Sequence, residues 1–186
     1  MELRFSDDFI KAIEFSRDEA LRTGWHCITP DHIMLGILRH RSNSACECLE
    51  RAGVCLDEFK GELDDSLFTP DSIPWEDREE IRLCDSAESF LRHAAEESLC
   101  CGDSLVTPLH FVLACSHIAG PCSHDRLASL GISLRSLTDA AGIEWSVYGH
   151  HRNEVKEAAA PDPQILAAAI EKRLREGYTT DNYLAS

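Results

Sequence analysis

The sequence lacks the long apolar runs and the abundant basic residues that characterise two large classes of protein. No run of about 18 apolar residues occurs in the 186-residue chain, so no membrane-spanning helix is expected. Lysine is scarce, and the 33 acidic residues outnumber the 18 basic ones, for a formal charge of −15. Proteins that bind nucleic acid usually neutralise phosphates with Lys and Arg, so this composition argues against a nucleic-acid partner.

An export signal is also missing from the start of the chain. Residues 1–8 contain neither a basic start nor an apolar stretch, so a cytoplasmic location is expected. The nine cysteines are then predicted to be reduced thiols rather than a disulfide framework, which agrees with their odd number. Several of them occupy positions where a helix core favours a small apolar residue, and a minority are expected to be exposed and oxidisable.

The main feature that is present is an internal repeat. When the chain is shifted by 78 positions, Gly24 falls on Gly102, and the segment 28–35 falls on 106–113 without a gap. Both segments contain the pattern Thr-Pro-x-His. Agreement over so many positions predicts the duplication of one helical unit.

Each copy is predicted to contain four helices and no strand. In the first copy, Gly24 and Gly53 are typical helix-ending residues, and Thr29-Pro30 is typical of a helix start. No alternating apolar pattern is long enough for a β-sheet. The predicted fold is therefore all-α: a pseudo-twofold tandem repeat of a four-helix unit, with about eight helices, followed by a helical C-terminal tail.

The predicted organisation is one double-repeat domain with an extension. The domain covers 1–140, with the first copy at 1–67 and the second at 83–140, and the extension covers 141–186. One helix is expected in the extension, at about 163–176, whereas 142–151 is expected to be irregular. Leu166, Ile170 and Leu174 form an apolar stripe on that helix, which could either pack on the domain or dock another chain.

The repeated residues resemble those of the Clp N-terminal repeat family. The resemblance rests on Phe5-Ser6, on Gly24, on the helix segment 29–38 and on the turn 49–56, and it covers residues 1 to about 140. It implies a monomeric, pseudo-symmetric helical domain that binds adaptor proteins or unfolded or marked polypeptides. Relatives usually continue into ATPase modules, but no Gly-Lys pair that could cradle a phosphate occurs here. The chain is therefore not expected to be the ATPase itself, and its distinct C-terminal tail favours a free-standing member without the ATPase modules over a part of a longer protein.

The resemblance also implies a set of candidate binding residues. Phe5 and Leu83 occupy equivalent positions at the starts of the two copies, near the groove that relatives have between their copies. In some relatives, the carboxylate before the His of each copy helps to bind phosphorylated arginine. Asp31 matches this position in the first copy, whereas Leu109 in the second has no charge, so one such site is the most that is expected. The candidate peptide- or partner-binding residues are Phe5, Thr29, Asp31, Leu83, Thr107 and Leu109.

The leading prediction is a non-enzymatic domain that binds polypeptides or adaptors and recruits or regulates substrates of a Clp-type chaperone–protease system. Its expected partners are a Clp-type ATPase, a protease, an adaptor or an unfolded substrate, and no cofactor, metal or membrane is expected. Two alternatives remain open. One is a single-site reader of phosphoarginine or another small ligand at Asp31, and the other is a metal- or redox-responsive domain that uses Cys and His side chains.

Histidines and cysteines are the residues that most invite a catalytic or metal-binding interpretation. His32 and His110 are predicted to be structural imidazoles, hydrogen-bonded to nearby backbone. Cys27 lies near two histidines in the chain but is expected to be a packed thiol rather than a nucleophile. Four residues have the side-chain types of a zinc site without a standard spacing: Cys115, His117, Cys122 and His124.

Overall fold

A computed structural model describes residues 4–157 and 168–172. The first copy consists of β1 (Arg4–Phe5), α1 (Asp7–Thr23), β2 (Cys27–Ile28), α2 (Pro30–Arg39), α3 (Ser44–Arg51) and α4 (Leu56–Leu67). The second copy consists of β3 (Arg82–Leu83), α5 (Asp85–Cys100), β4 (Leu105–Val106), α6 (Pro108–His117), α7 (Cys122–Ser129) and α8 (Leu134–Ala141). Every element of the first copy begins 78 positions before its counterpart, so the predicted all-α repeat of a four-helix unit is confirmed.

Local sequence explains where the helices begin and end. The hydroxyl oxygen of Ser6 accepts a hydrogen bond from the Phe9 N–H at 3.2 Å and so caps α1. Gly24 ends this helix in the left-handed region, with φ of 84°, which only glycine adopts at little cost. Helix α3 is capped by Asn43, whose side chain accepts hydrogen bonds from the first free amides of that helix. One face of α1 is fully buried, at four positions three or four residues apart: Phe9, Ile13, Ser16 and Ala20.

Two short parallel strand pairs join the copies. Strand β1 pairs with β4, and β2 pairs with β3, so each pair takes one strand from each copy. The backbone bonds that follow them are equivalent as well: Ser6 N–H donates to the Val106 carbonyl at 2.9 Å, and Cys84 N–H donates to the Ile28 carbonyl at 3.0 Å. Exchanging the copies maps one pair onto the other, as an approximate twofold axis requires. These strands were not predicted, because two residues are too few to show an alternating pattern.

One hydrophobic core runs through both copies. Within the copies, α1 packs on α2 and α5 packs on α6, and between the copies α3 packs on α6 and α8. Close approach of α1 and α2 depends on Gly36, because a Cβ atom there would overlap the carbonyl oxygen of Ala12. Among the helices of the described residues, none has the length and apolar character needed to cross a membrane.

The extension corrects one expectation. The segment 142–151, expected to be irregular, lies largely within a helix, α9 (Trp145–Glu157), which packs on α5 and buries Tyr148 completely. The sequence did not predict α9 because this helix is mostly polar and buries few apolar side chains on one face. Residues 168–172 are helical, and Ile170 is fully buried in the hydrophobic cluster. The rest of the helix predicted at 163–176, including Leu166 and Leu174, falls outside the described residues.

Candidate functional site

The six candidate binding residues fall into two groups, one beside each strand pair. Phe5 pairs with Val106, which precedes Thr107, and Leu83 pairs with Ile28, which precedes Thr29. We call strands β1 and β4, with Phe5, Thr107 and Leu109, the first junction. We call strands β2 and β3, with Leu83, Thr29 and Asp31, the second junction. Each junction therefore combines residues of both copies, and the two are related by the approximate twofold axis.

Burial separates the candidates into two kinds. Phe5 is 5% exposed and packs on Phe9, with 5.8 Å between ring centroids, so its side chain belongs to the core. Asp31 is buried too, at 6% exposure. The other four are half-buried, which leaves part of each side chain accessible to a partner: Thr29, Leu83, Thr107 and Leu109.

His32 occupies a structural position at the start of α2. The Thr29 N–H donates to its Nδ1 at 3.0 Å, and its Nε2 lies 2.9 Å from the Thr23 hydroxyl oxygen. Because Nδ1 accepts a hydrogen bond, the ring proton lies on Nε2. His110 repeats the arrangement at α6, with Thr107 N–H at 3.0 Å. The predicted backbone-bonded imidazoles are therefore confirmed.

Burial keeps both imidazoles neutral. Burial, together with the smaller effect of the nearby Arg22 charge, lowers the pKa of His32 to about 4. Burial also lowers the pKa of His110, although the carboxylate of Asp103, 3.1 Å from its Nε2, acts in the opposite direction. Both ring nitrogens of each imidazole therefore have hydrogen-bonding partners within the protein.

Asp31 has a specific structural task at the second junction. Its two carboxylate oxygens accept hydrogen bonds from the N–H groups of Cys122 and Ser123, at 2.9 and 2.8 Å. These are the first amides of α7, which belongs to the other copy. The negative charge also lies at the positive end of that helix, where it is stabilising.

The second copy needs this cap because it lacks its own. In the first copy, the Asn43 side chain caps α3 by accepting from Ala45 N–H and Cys46 N–H, both at 3.0 Å. The equivalent residue before α7 is Pro121, whose ring has no hydrogen-bonding group. The difference between Asp31 and its counterpart Leu109 follows from this: α7 needs an external cap, whereas α3 does not. A phosphoarginine guanidinium at Asp31 would have to compete with two backbone amides for the same oxygens.

The four residues weighed as zinc ligands have other neighbours. His117 Nε2 lies 2.8 Å from a carboxylate oxygen of Glu97, and His124 Nδ1 lies 2.9 Å from the carbonyl oxygen of Cys115. Cys115 is fully buried, whereas Cys122 is exposed. Within 4–157 and 168–172, no group of three or more His, Cys, Asp or Glu side chains is arranged to hold a metal ion.

A buried polar network was missed by the sequence analysis. Glu97 is 4% exposed, accepts a hydrogen bond from the Tyr148 hydroxyl, and lies 3.7 Å from an Arg152 nitrogen. Burial and the charge of Glu97 raise the pKa of the Tyr148 hydroxyl, so it remains protonated and donates. This network joins α9 to α5 and α6. Glu97 aligns with Glu19 in the repeat, and this recurrence of a glutamate could have indicated a structural role. Glu19 is also buried and accepts a hydrogen bond from Arg22 at 3.0 Å.

An exposed aromatic pair lies beside the linker. Phe68 and Trp75 are 65% and 64% exposed and flank a groove of about 480 Å³ between residues 68–75 and the end of α1. The linker, 68–82, includes a short 3-10 helix (Trp75–Glu80), which is tied to α1 by Arg78, whose Nε donates to Asp18 at 2.6 Å. Neither aromatic residue was among the candidates.

The sequence of the chain is similar to parts of Clp proteins and to a family model of a Clp N-terminal domain. Residues 4–121 match the family model described as the Clp repeat (R) N-terminal domain. The chain is 27% identical over 110 residues to chaperone protein ClpC3, chloroplastic, of Oryza sativa subsp. japonica. It is 24% identical over 180 residues to chaperone protein ClpB of Oceanobacillus iheyensis. These alignments cover 59% and 94% of the chain but only 11% and 22% of those proteins.

A solved structure shows the same fold. It is the N-terminal domain of the caseinolytic protease associated chaperone ClpD from Arabidopsis thaliana, with a TM-score of 0.56 and 20% sequence identity. The match covers 74% of this chain and 94% of that domain. The shared architecture therefore extends over the double repeat.

Proposed function

Because the chain belongs to the Clp repeat N-terminal domain family, we propose that it is a non-enzymatic domain that binds polypeptides or adaptors. In this role it recruits or regulates substrates of a Clp-type chaperone–protease system. The observation that carries the proposal is the pair of junctions, where half-buried residues of both copies lie next to each other. The proposed location is the cytoplasm and the proposed state is a monomer.

The buried polar side chains that could act in catalysis already make structural hydrogen bonds, which supports a non-enzymatic role. The two Thr-Pro-x-His imidazoles are neutral and bonded on both ring nitrogens. The Asp31 carboxylate caps α7, and the Glu97 carboxylate holds α9. Each of these groups is used for the fold, which favours a binding role over a catalytic one.

The apolar contacts of a partner are assigned to Leu83 and Leu109. Each lies half-buried at one junction and packs against the core with part of its side chain. Leu105, 42% exposed, extends the apolar surface of the first junction and pairs with Arg4. An unfolded polypeptide offers apolar side chains that such a surface can cover, and the acidic character of the chain attracts basic segments.

The test is direct binding of fluorescein-labelled β-casein, an unfolded polypeptide, and of a Clp-type ATPase to the purified chain. Leu109→Asp places a charge at the position of α6 that Asp31 occupies in α2, and circular dichroism checks that the variant is folded. We expect Leu109→Asp and Leu83→Asp to weaken binding at least about tenfold, the effect of losing roughly 1.4 kcal/mol of contact free energy.

The matched control is Leu130→Asp, because Leu130 is equally apolar and 44% exposed but lies at the end of α7. It should bind as the wild type does. Equal binding by all variants would remove the junctions from the proposal. If the wild-type chain binds neither probe at micromolar concentrations, the proposed function itself is wrong.

A further inference from the structure

Two cysteines, one from each copy, lie on the same face of the second junction. The register of β2 and β3 pairs Cys27 with Arg82 and Ile28 with Leu83, so the next residue, Cys84, lies opposite Thr29. Side chains two residues apart on a strand share a face, and so do residues directly opposite each other. Cys27 and Cys84 are therefore diagonal neighbours on one face, one from each copy.

The backbone and the environment hold both thiols in place. The Cys84 N–H donates to the Ile28 carbonyl at 3.0 Å, which extends the strand pairing to Cys84 itself. Both side chains are half-buried, so a small oxidant can reach them. Burial raises the pKa of the Cys27 thiol, and the neighbouring Cys84 thiol raises it further, as expected for two groups that would both become negative.

We propose that Cys27 and Cys84 are a redox-sensitive pair that forms a disulfide between the two copies when the protein meets hydrogen peroxide. The other cysteines are placed differently. Four are buried within the helical core: Cys46, Cys48, Cys100 and Cys115. The first junction has Leu105 and Ser6 at the positions equivalent to Cys27 and Cys84, so only the second junction carries the pair.

The chemistry balances with the peroxide as the oxidant. The thiolate of one cysteine attacks hydrogen peroxide: the O–O bond breaks, an S–O bond forms, and one water leaves after taking up a proton. The second thiol then attacks the sulfenic sulfur, so that the S–S bond forms and the S–O bond breaks. The departing hydroxide takes the thiol proton and leaves as water. Overall, two thiols lose two electrons and two protons, and one peroxide becomes two waters.

Oxidation would link the two copies covalently at the second junction. An S–S bond is about 2.05 Å long, so the backbones that carry Cys27 and Cys84 must move closer together, which is feasible because each of the two strands is only two residues long. The bond closes a loop from Cys27 to Cys84 and reduces the conformational freedom of the unfolded chain. Leu83 and Thr29 lie beside the bond, so a partner at this junction would meet a more rigid surface.

The experiment uses the purified 186-residue chain, treated with a few equivalents of hydrogen peroxide and then with N-ethylmaleimide in urea, so that the buried thiols also react. The monomer should lose about 2 Da, as two thiols become one disulfide, and seven of the nine cysteines should be alkylated. Peptide mapping should find Cys27 linked to Cys84, and dithiothreitol should reverse the change. The melting temperature of the oxidised monomer should rise by roughly 5–10 °C.

Matched variants make the test specific. Cys27→Ser or Cys84→Ser should abolish the mass loss, whereas Cys55→Ser, which removes an exposed thiol elsewhere, should not. Ser6→Cys combined with Leu105→Cys introduces an equivalent cysteine pair at the first junction, beside the original pair, and should add a second cross-link. The proposal is overturned if the oxidised wild-type monomer retains nine alkylatable thiols, if the mapped disulfide joins other cysteines, or if cross-linking survives Cys27→Ser. None of these results depends on polypeptide binding.

Discussion

The carboxylate of Asp31 and the backbone N–H of Ser123 are 92 positions apart in the chain and 2.8 Å apart in space. Asp31, in the first copy, therefore stabilises the contact between the copies by capping α7 of the second copy. Replacing it with alanine should leave two amides of α7 without an acceptor and lower the free energy of unfolding by about 1–3 kcal/mol. Urea denaturation followed by circular dichroism measures this loss.

A compensating change tests the mechanism. Pro121→Asn restores the local cap that Asn43 provides for α3, so in the Asp31→Ala background it should recover much of the lost stability. The same Pro121→Asn change in the wild type should have a smaller effect, because α7 is already capped. Additive effects of the two substitutions would contradict the cap. Phosphoarginine titration of Asp31→Ala and wild type separately tests the ligand-reader alternative, which predicts a difference in binding.

Acid should destabilise the chain through the buried imidazole of His32. The pKa of His32 is lowered from 6.5 to about 4 by burial, so between these values the unfolded state binds more protons than the folded state. The stability contributed by the neutral ring is fully present above pH 6.5 and is lost as the pH falls towards 4. This single group accounts for a loss on the order of 2–3 kcal/mol.

The slope of stability against pH isolates this contribution. His32→Gln should flatten the change in urea midpoint between pH 7 and pH 4, even if it lowers stability overall. His150→Gln serves as the control, because the His150 side chain is 73% exposed and should leave the slope unchanged. Identical slopes for His32→Gln and wild type would refute the assignment.

The network around Glu97 predicts how α9 is held. Tyr148→Phe keeps the buried ring and removes the hydroxyl that donates to Glu97, so one buried carboxylate oxygen loses a donor. We expect a loss of about 1–3 kcal/mol in unfolding free energy and faster amide exchange within α9. Ser146→Ala removes an exposed hydroxyl of the same helix and should change neither quantity. Unaltered exchange in Tyr148→Phe would show that the hydroxyl does not anchor α9.

Two glycines in helices should respond to alanine in opposite ways. Gly36→Ala introduces a Cβ that overlaps the Ala12 carbonyl, so α1 and α2 must move apart at a cost of about 1–3 kcal/mol or more. Gly61 has open space around it in α4, and Gly61→Ala should raise stability by about 0.5–1 kcal/mol. Thermal unfolding distinguishes them, and a tolerated Gly36→Ala would mean that the two helices are less closely packed than described.

The repeat made much of the fold predictable. Signals such as Gly24 and Thr29-Pro30 are local, and each recurs in the other copy, so an ambiguous helix in one half is supported by its counterpart. The strands escaped prediction because two residues carry no periodicity and their partners come from the other copy. Helix α9 escaped because it has no counterpart in the repeat and is anchored through polar groups, Tyr148 and Arg152, rather than an apolar stripe.

The candidate residues were predictable only in part. Their equivalence in the repeat grouped them correctly in pairs, such as Phe5 with Leu83. The capping task of Asp31 was not predictable, because its partners are set by how the copies pack and not by neighbouring sequence. Pro121 is the residue that, compared with Asn43, could have indicated a missing cap.

The pairing of strands between the two copies suggests a route by which such a chain arises. A single copy, dimerising about a true twofold axis, would form both junctions identically, each made of one strand from either subunit. The present chain has the geometry of that homodimer with its subunits fused through 68–82. Fusion allows the halves to diverge, and this chain has used that freedom at one junction for an aspartate cap and a cysteine pair that symmetry would otherwise have duplicated.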